Sequence, residues 1–221
     1  MEKTGFTAVI LAGGESRRMG RDKAFLPWKD ATLLEEIVKK VSRVADEVIV
    51  AVKDHRPFRH LTARVVEDGV PNAHALGGLY TGLRAAQYER CFVTSCDAPF
   101  LDPGLIRFLV GKLDGVAPPP APAAGGGPAF GGRPEGPGSG GGVDLVIPKT
   151  PAGLQPLHAA YARSCLTAIE EKLRQRQWDL AGLIPHVRAR VVSVEEGLSF
   201  RNLNTPADYR RACRLPLAGI R

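Results

Sequence analysis

The sequence is poor in the features that mark several protein classes. Aromatic residues make up 6% of its 221 positions, and no stretch alternates basic with aromatic side chains, so platforms for stacking single-stranded nucleic acid are not evident. No segment approaches the roughly 18 apolar residues of a membrane-spanning helix, and the first apolar run is too short for the core of a secretion signal. The expected location is therefore the cytoplasm. Four cysteines, Cys91, Cys96, Cys165 and Cys213, form no C-x-x-C pair and have no histidine at ligand spacing, which argues against zinc and reads them as buried or reduced thiols. The histidines, His55, His60, His74, His158 and His186, show no metal spacing and receive no role.

What the chain has in place of these is enough apolar content, 44%, to bury a full core over residues 1–221 as one domain. The balance of 30 Lys+Arg against 23 Asp+Glu leaves a net charge of +7 and favours anionic partners such as nucleotides, nucleic acid or acidic membranes without choosing among them. The segment from Gly115 to Gly142 is Pro, Ala and Gly with almost no large apolar side chain. Such a composition does not repay the entropy of folding, so it reads as a disordered surface insertion rather than a linker between domains.

Around this insertion, strand-like and helix-like stretches alternate. Strands are expected at Phe6 to Ile10, Glu47 to Val52, Ala63 to Glu67, Cys91 to Ser95, Asp144 to Pro148, Leu157 to Tyr161 and Arg190 to Val194. Helices are expected from Leu33 to Val44 behind the capping box Thr32-Leu-Leu-Glu35, from Gly77 to Tyr88, behind Asp102-Pro103, from Leu166 to Arg176, and from Thr205 through Arg214. Alternation of this kind implies a parallel sheet covered on both faces, with ligands collecting outside the carboxyl ends of the strands. The loop after the first strand, Asp68 and Asp97 each follow a strand directly, so all three fall on that edge.

The loop carries the densest signal. Leu11 to Lys23 reads Leu-Ala-Gly-Gly-Glu-Ser-Arg-Arg-Met-Gly-Arg-Asp-Lys. Gly13 and Gly14 lack Cβ atoms, so the backbone there is free to take positive φ and bring N–H groups close to a phosphate, with Arg17, Arg18, Arg21 and Lys23 around it. It is neither a Walker A loop nor a Gly-x-Gly-x-x-Gly fingerprint, and an ordinary strand-to-helix loop on a basic surface is the plainer alternative. Asp97 ends a strand of apolar and small residues. A carboxylate there suits Mg²⁺, which takes one or two carboxylates plus phosphates and waters, although Asp before a turn is also an ordinary cap. Asn202 and Asn204 stand two apart in an extended segment and so share a face, open either to a ligand or to turning the chain into its last helix.

These residues resemble the signature of nucleotidyltransferases that activate cofactors and sugars, and most of all the molybdenum cofactor guanylyltransferases, whose pattern Leu-Ala-Gly-Gly-x-Ser-x-Arg-Met-Gly-x-Asp-Lys is met at every fixed position. The resemblance continues through Val66-Glu-Asp68, Ala75-Leu-Gly-Gly-Leu-Tyr-Thr-Gly82, Cys96-Asp-Ala-Pro-Phe-Leu101, Gln155-Pro-Leu-His-Ala-Ala-Tyr161 and Asn202-Leu-Asn-Thr-Pro206. It implies a Rossmann-like three-layer α/β sandwich with a mostly parallel sheet. It also implies transfer of GMP from GTP to the terminal phosphate of molybdopterin, with release of pyrophosphate, Mg²⁺ as cofactor, and molybdoenzyme chaperones as possible recipients.

Carried over by position, Leu11, Ala12, Gly13 and Gly14 meet the nucleotide, Lys23 binds its phosphates with help from Arg18, Asp68 lies at the guanosine end, Asp97 holds Mg²⁺, and Asn202 and Asn204 lie on the pterin side. Two departures stand out: His74-Ala-Leu-Gly-Gly78 replaces a Gly-Pro-Leu-Ala-Gly, and Ala51 to Asp54 lack the asparagine common after the second strand. A cytidylyltransferase for the same pterin, a sugar-phosphate nucleotidyltransferase, a nucleotide-binding regulator without turnover and a basic nucleic-acid module are the competing readings.

Overall fold

The structure is a computed structural model and describes residues 5–14, 22–113 and 142–215. Its first strand, Phe6–Leu11 (β1), is buried along its length and alternates between two cores, with Phe6, Ala8 and Ile10 in one and Val9 and Leu11 in the other. A strand buried on both faces belongs in the middle of a sheet, and β1 sits there. Pro27–Trp28 (β2) and Ala31–Thr32 (β3) form a small antiparallel hairpin unforeseen from the pattern. It runs directly into α1 (Leu33–Val41), whose start is the expected capping box: the Thr32 hydroxyl accepts from Glu35 N while the Glu35 carboxylate accepts from Thr32 N. The helix ends three residues before Val44, because Arg43 N and Val44 N turn to carbonyls three residues back and tighten the last turn.

Next come β4 (Glu47–Val52), β5 (Arg64–Glu67) and α2 (His74–Ala85). The last begins three residues earlier than expected. Gly77 and Gly78, read from the sequence as its opening, lie inside it, and Gly77 N already bonds to Ala73 O. These glycines, weak helix formers, serve packing: a Cβ on Gly78 would come to 3.3 Å of Leu11, and one on Gly82 would overlap Val9 Cγ1. The remaining elements are β6 (Arg90–Ser95), α3 (Pro103–Gly111), β7 (Leu145–Thr150), β8 (Gly153–Leu154), β9 (His158–Ala162), α4 (Leu166–Arg174), β10 (Ala189–Ser193) and α5 (Pro206–Cys213). Asp102 caps α3 and Thr205 caps α5, both as expected.

The strand order is β10-β7-β9-β6-β1-β4-β5, with β8 paired to β7. Strands β5, β4, β1 and β6 are mutually parallel and β7 is parallel to β10, whereas β9 runs antiparallel to both β6 and β7. The sheet is thus mostly parallel, as expected, with β9 as the reversed strand. The connection 151–157 is too short to carry a crossover helix, so the chain returns beside β7 in the opposite sense.

Helices α1, α3 and α5 cover one face and α2 and α4 the other, giving three layers. Cys91, Cys96 and Cys165 are buried thiols and Cys213 is exposed, with no disulfide among them; burial pushes the Cys96 thiol up to about 12. No helix of the described residues is long and apolar enough to cross a membrane. The segment expected to be a disordered insertion lies almost wholly outside the described residues.

Candidate active site

The carboxyl ends of β4, β1 and β6 are laced together by the residues that follow them. Ala12 N donates to Ala51 O at 2.8 Å and Cys96 N donates to Leu11 O at 3.0 Å, so the loops after β1 and β6 leave the sheet side by side. Gly13 and Gly14 do not use positive φ, contrary to the conformational argument from sequence; among the described residues the glycine in that region is Gly153. What Gly13 provides is clearance, since a Cβ there would sit 3.3 Å from Lys53 Cγ. Arg17, Arg18 and Arg21 lie outside the described residues.

Past the loop, Asp22 caps a short 3₁₀ turn over Lys23–Phe25 by accepting from Ala24 N at 3.0 Å. Lys23 reaches from this turn to the far side of the crevice. Its Nζ lies 2.7 Å from Asp97 Oδ2 and donates to Asn204 Oδ1 at 3.1 Å. Both members of the ion pair are largely shielded, with side chains 15% and 14% exposed. Asp97 Oδ1 accepts from Ser95 Oγ at 2.5 Å, and Asp97 O accepts from Leu203 N at 2.9 Å.

Leu203 is fully buried, so Asn202 and Asn204 on either side of it turn toward the opposite surface, and the second reaches Lys23. Lys40 of α1 donates to Pro99 O just beyond Asp97; burial lowers the pKa of this ammonium. Ser95, Lys40 and Leu203 were not singled out from the sequence. Ser95 alone left a trace, as a residue two before Asp97 at a strand end.

Asp68 stands at the other end of the same edge, after β5. Its N donates to Val52 O at 2.6 Å, and its Oδ1 accepts from Val70 N at 3.1 Å and from Thr81 Oγ1 at 3.3 Å. Gly77 is what lets α2 come so near, because a Cβ there would be 2.9 Å from Asp68 Oδ2. Strands β4 and β1 separate β5 from β6. At about 4.8 Å per strand, Asp68 and Asp97 are thus roughly 14 Å apart along the edge.

After β4, where the sequence lacks the asparagine, lie Asp54 and His55, and with Glu67 at the end of β5 their ligand-type atoms fall within 4.8 Å of one another. They are exposed and already partnered: His55 Nδ1 is 2.5 Å from Glu67, and Arg56 forks onto Asp54 and holds that carboxyl down at about 2.

The donor set at Asp97 suits a hard divalent cation. One shielded carboxylate with an ammonium already resting on Oδ2 marks a place where positive charge is welcome, and a carboxylate oxygen is the kind of ligand Mg²⁺ takes beside phosphates and waters. No thiol or imidazole joins it among the described residues that touch Asp97.

A crevice at the carboxyl edge of a mostly parallel sheet, with glycines in the loop after β1 and a lysine facing a carboxylate across it, is the arrangement of a nucleotidyltransferase. The comparisons with known proteins agree. Residues 8–187 match the model of the MobA-like NTP transferase domain family. A probable molybdenum cofactor guanylyltransferase of Pelotomaculum thermopropionicum is 31% identical over 213 residues, covering 93% of this chain and 91% of that one. The molybdenum cofactor guanylyltransferase of Desulfosudis oleivorans is 27% identical over 93% of each chain.

Among solved structures, molybdopterin-guanine dinucleotide biosynthesis protein A of Archaeoglobus fulgidus superposes with a TM-score of 0.69 at 22% identity, covering 93% of this chain and 96% of that one, and so shares the fold. A Mycobacterium tuberculosis neighbour solved with manganese has a TM-score of 0.60 at 18% identity, covering 96% of this chain and 99% of that one. The chain belongs to the MobA-like NTP transferase family and is a nucleotidyltransferase.

Proposed function

We propose that this enzyme transfers GMP from GTP to the terminal phosphate of molybdenum-bearing molybdopterin, giving molybdopterin guanine dinucleotide and pyrophosphate. The observation that carries the reading is the meeting of Lys23, Asp97 and Asn204 within hydrogen-bond distance at one crevice, although they come from distant parts of the chain.

The acceptor phosphate is already an anion at neutral pH, so no nucleophile has to be activated. An acceptor oxygen forms a bond to the α-phosphorus of GTP, the bond from that phosphorus to the bridging β-phosphate oxygen breaks, and pyrophosphate departs with the electron pair. The protein's task is alignment and charge stabilisation. Leu11, Ala12, Gly13 and Gly14 shape the floor on which the nucleotide lies, and Arg18, four residues further on in the sequence, assists with its phosphates. Lys23 places its ammonium on the phosphates. Asp97 is the residue to hold Mg²⁺, which when bound neutralises phosphoryl charge.

Asp68 marks the guanosine end. Its Oδ1 is engaged by Val70 and Thr81, and Oδ2 remains to accept from the guanine N2 amino group, a donor that adenine lacks. Asn202 and Asn204 face the acceptor phosphate, and a molybdoenzyme chaperone is the natural recipient of the product.

The direct test supplies molybdopterin, molybdate, Mg²⁺ and each nucleoside triphosphate in turn and identifies the dinucleotide by mass. Pyrophosphate release with GTP and formation of the guanine dinucleotide is the expected result. Turnover with CTP, UTP or ATP in its place would overturn the assignment.

A further inference from the structure

His158 opens β9, across from Thr94 of β6, and is 4% exposed. Its ring meets Phe92 edge-on at 5.3 Å and lies 4.7 Å from the ring of Phe200. Its Nε2 is 3.2 Å from Ser199 Oγ. That hydroxyl accepts from Asp102 N at 3.1 Å, so its own proton is left to donate, and His158 Nε2 is the acceptor within reach. Complete burial keeps the imidazole neutral by pushing its pKa down to about 3, and with its proton on Nδ1 the ring accepts from Ser199 through Nε2.

This chain of bonds ties together the start of β9, the cap of α3 and the 3₁₀ turn Leu198–Phe200. The turn launches the segment holding Asn202 and Asn204. Its other anchor is Leu203 N on Asp97 O, with Asn204 on Lys23. The two asparagines are therefore strung between His158 with Ser199 on one side and the Lys23–Asp97 pair on the other.

We propose that His158 is a positioning residue: through Ser199 and Phe200 it sets where Asn202 and Asn204 stand against Lys23 and Asp97, and so governs use of the acceptor phosphate rather than binding of the nucleotide. This rests on the reading above, in which that segment faces the acceptor. A ring that merely filled the core would be replaceable by phenylalanine, which keeps the contacts with Phe92 and Phe200 and loses the acceptor nitrogen.

The test compares full-length His158→Phe, His158→Gln and Ser199→Ala for kcat/KM toward the acceptor and for GTP affinity measured without acceptor. Expected are a loss of about tenfold in acceptor kcat/KM for His158→Phe and Ser199→Ala with GTP affinity within about twofold, no further loss in the double variant, and recovery in His158→Gln, whose amide oxygen accepts the same bond. Should His158→Phe fold poorly, Ser199→Ala removes one oxygen from the outer turn and reads the same link.

Wild-type acceptor kinetics in Ser199→Ala, or an equal fall in GTP affinity and acceptor use, would overturn the proposal. If the wild-type protein turned over a different nucleoside triphosphate, the guanylyl assignment would fall. The same split, measured with that nucleotide, would still decide the role of His158.

Discussion

Two carboxylates on opposite edges of the sheet are built from nearly the same parts. Asp97, at the carboxyl edge after β6, has Ser95 Oγ at 2.5 Å and a Lys23 ammonium at 2.7 Å. Asp144, at the amino edge before β7, has Ser164 Oγ at 2.5 Å and the Arg188 guanidinium at 2.8 Å. They diverge in saturation. Arg188 forks onto both oxygens of Asp144 and adds its backbone N–H at 3.1 Å, so with Ser164 the carboxylate meets four donors, about as many as its lone pairs accept.

Asp97 receives two donors from side chains of the described residues, one of them a flexible point charge. A carboxylate that only holds a fold is filled by a rigid fork, whereas the one proposed to hold a metal leaves lone pairs unfilled by side chains of the described residues.

The sharpest way to break this comparison is to remove a charged partner at each edge. On the proposed mechanism Lys23→Ala and Asp97→Ala are each expected to lower kcat by about a hundred- to a thousandfold, on the order of 3 to 4 kcal/mol, because the first withdraws an ammonium from the reacting phosphates and the second withdraws the carboxylate that would hold Mg²⁺. Arg188→Ala should leave kcat unchanged and lower the melting temperature. Steady-state kinetics beside thermal melts reads both. Equal kinetic losses at the two edges would mean that the distinction between them is empty.

The glycines set a second contrast, between glycine used for a loop and glycine used for packing. The loop at Gly13 and Gly14 invited an argument from positive φ, yet the sharper steric demand lies in α2, where Gly82 packs on Val9. Gly82→Ala is expected to destabilise the protein by about 1 to 3 kcal/mol, since a methyl would be forced into a fully buried strand. At roughly 2 to 4 °C of melting temperature per kcal/mol for a chain of this size, differential scanning calorimetry resolves the change. Gly78→Ala faces a Leu11 methyl at 3.3 Å and should cost less. The opposite ranking would show that α2 is free to slide over β1.

How much of this was legible before the fold follows from where the information sits. The parallel half of the sheet was readable because each strand carries its own apolar run and the residues that stop it; Asp68 and Asp97 fall at such stops, and Lys23 closes the motif that follows the first. The capping box at Thr32 and the cap at Thr205 were readable for the same reason. The direction of β9 was not, because it depends on the short connection from β7 and not on the composition of β9. The bond from Lys23 to Asn204 joins residues 181 apart, and periodicity carries no sign of it. His158 showed even less: its spacing to the other histidines marks nothing, and the serine that completes its hydrogen bond lies 41 residues on.

The smallest of the expected effects concerns the amino edge by itself. Arg188, above all through its side-chain hydrogen bonds, together with Ser164, holds the Asp144 carboxyl down from 3.8 to about 2. A carboxylate lowered on folding stabilises the native state at pH values above its unfolded pKa, and that contribution is lost as pH falls through the folded value. The window here is therefore from about pH 4 down to about pH 2.

At about 1.4 kcal/mol per unit the whole contribution is on the order of 2 kcal/mol, with Arg188 its largest source, and the side chain of Asp144 is shielded enough, at 12% exposed, for that conversion to hold in order of magnitude. Denaturant titrations of wild type and Arg188→Ala should show a stability gap of that size near neutrality that closes as the buffer is taken toward pH 2. A gap that stayed constant with pH would mean that Arg188 supports β7 and β10 by packing its stem and not by charge, and Asp144 would then cease to be a fair counterpart to Asp97.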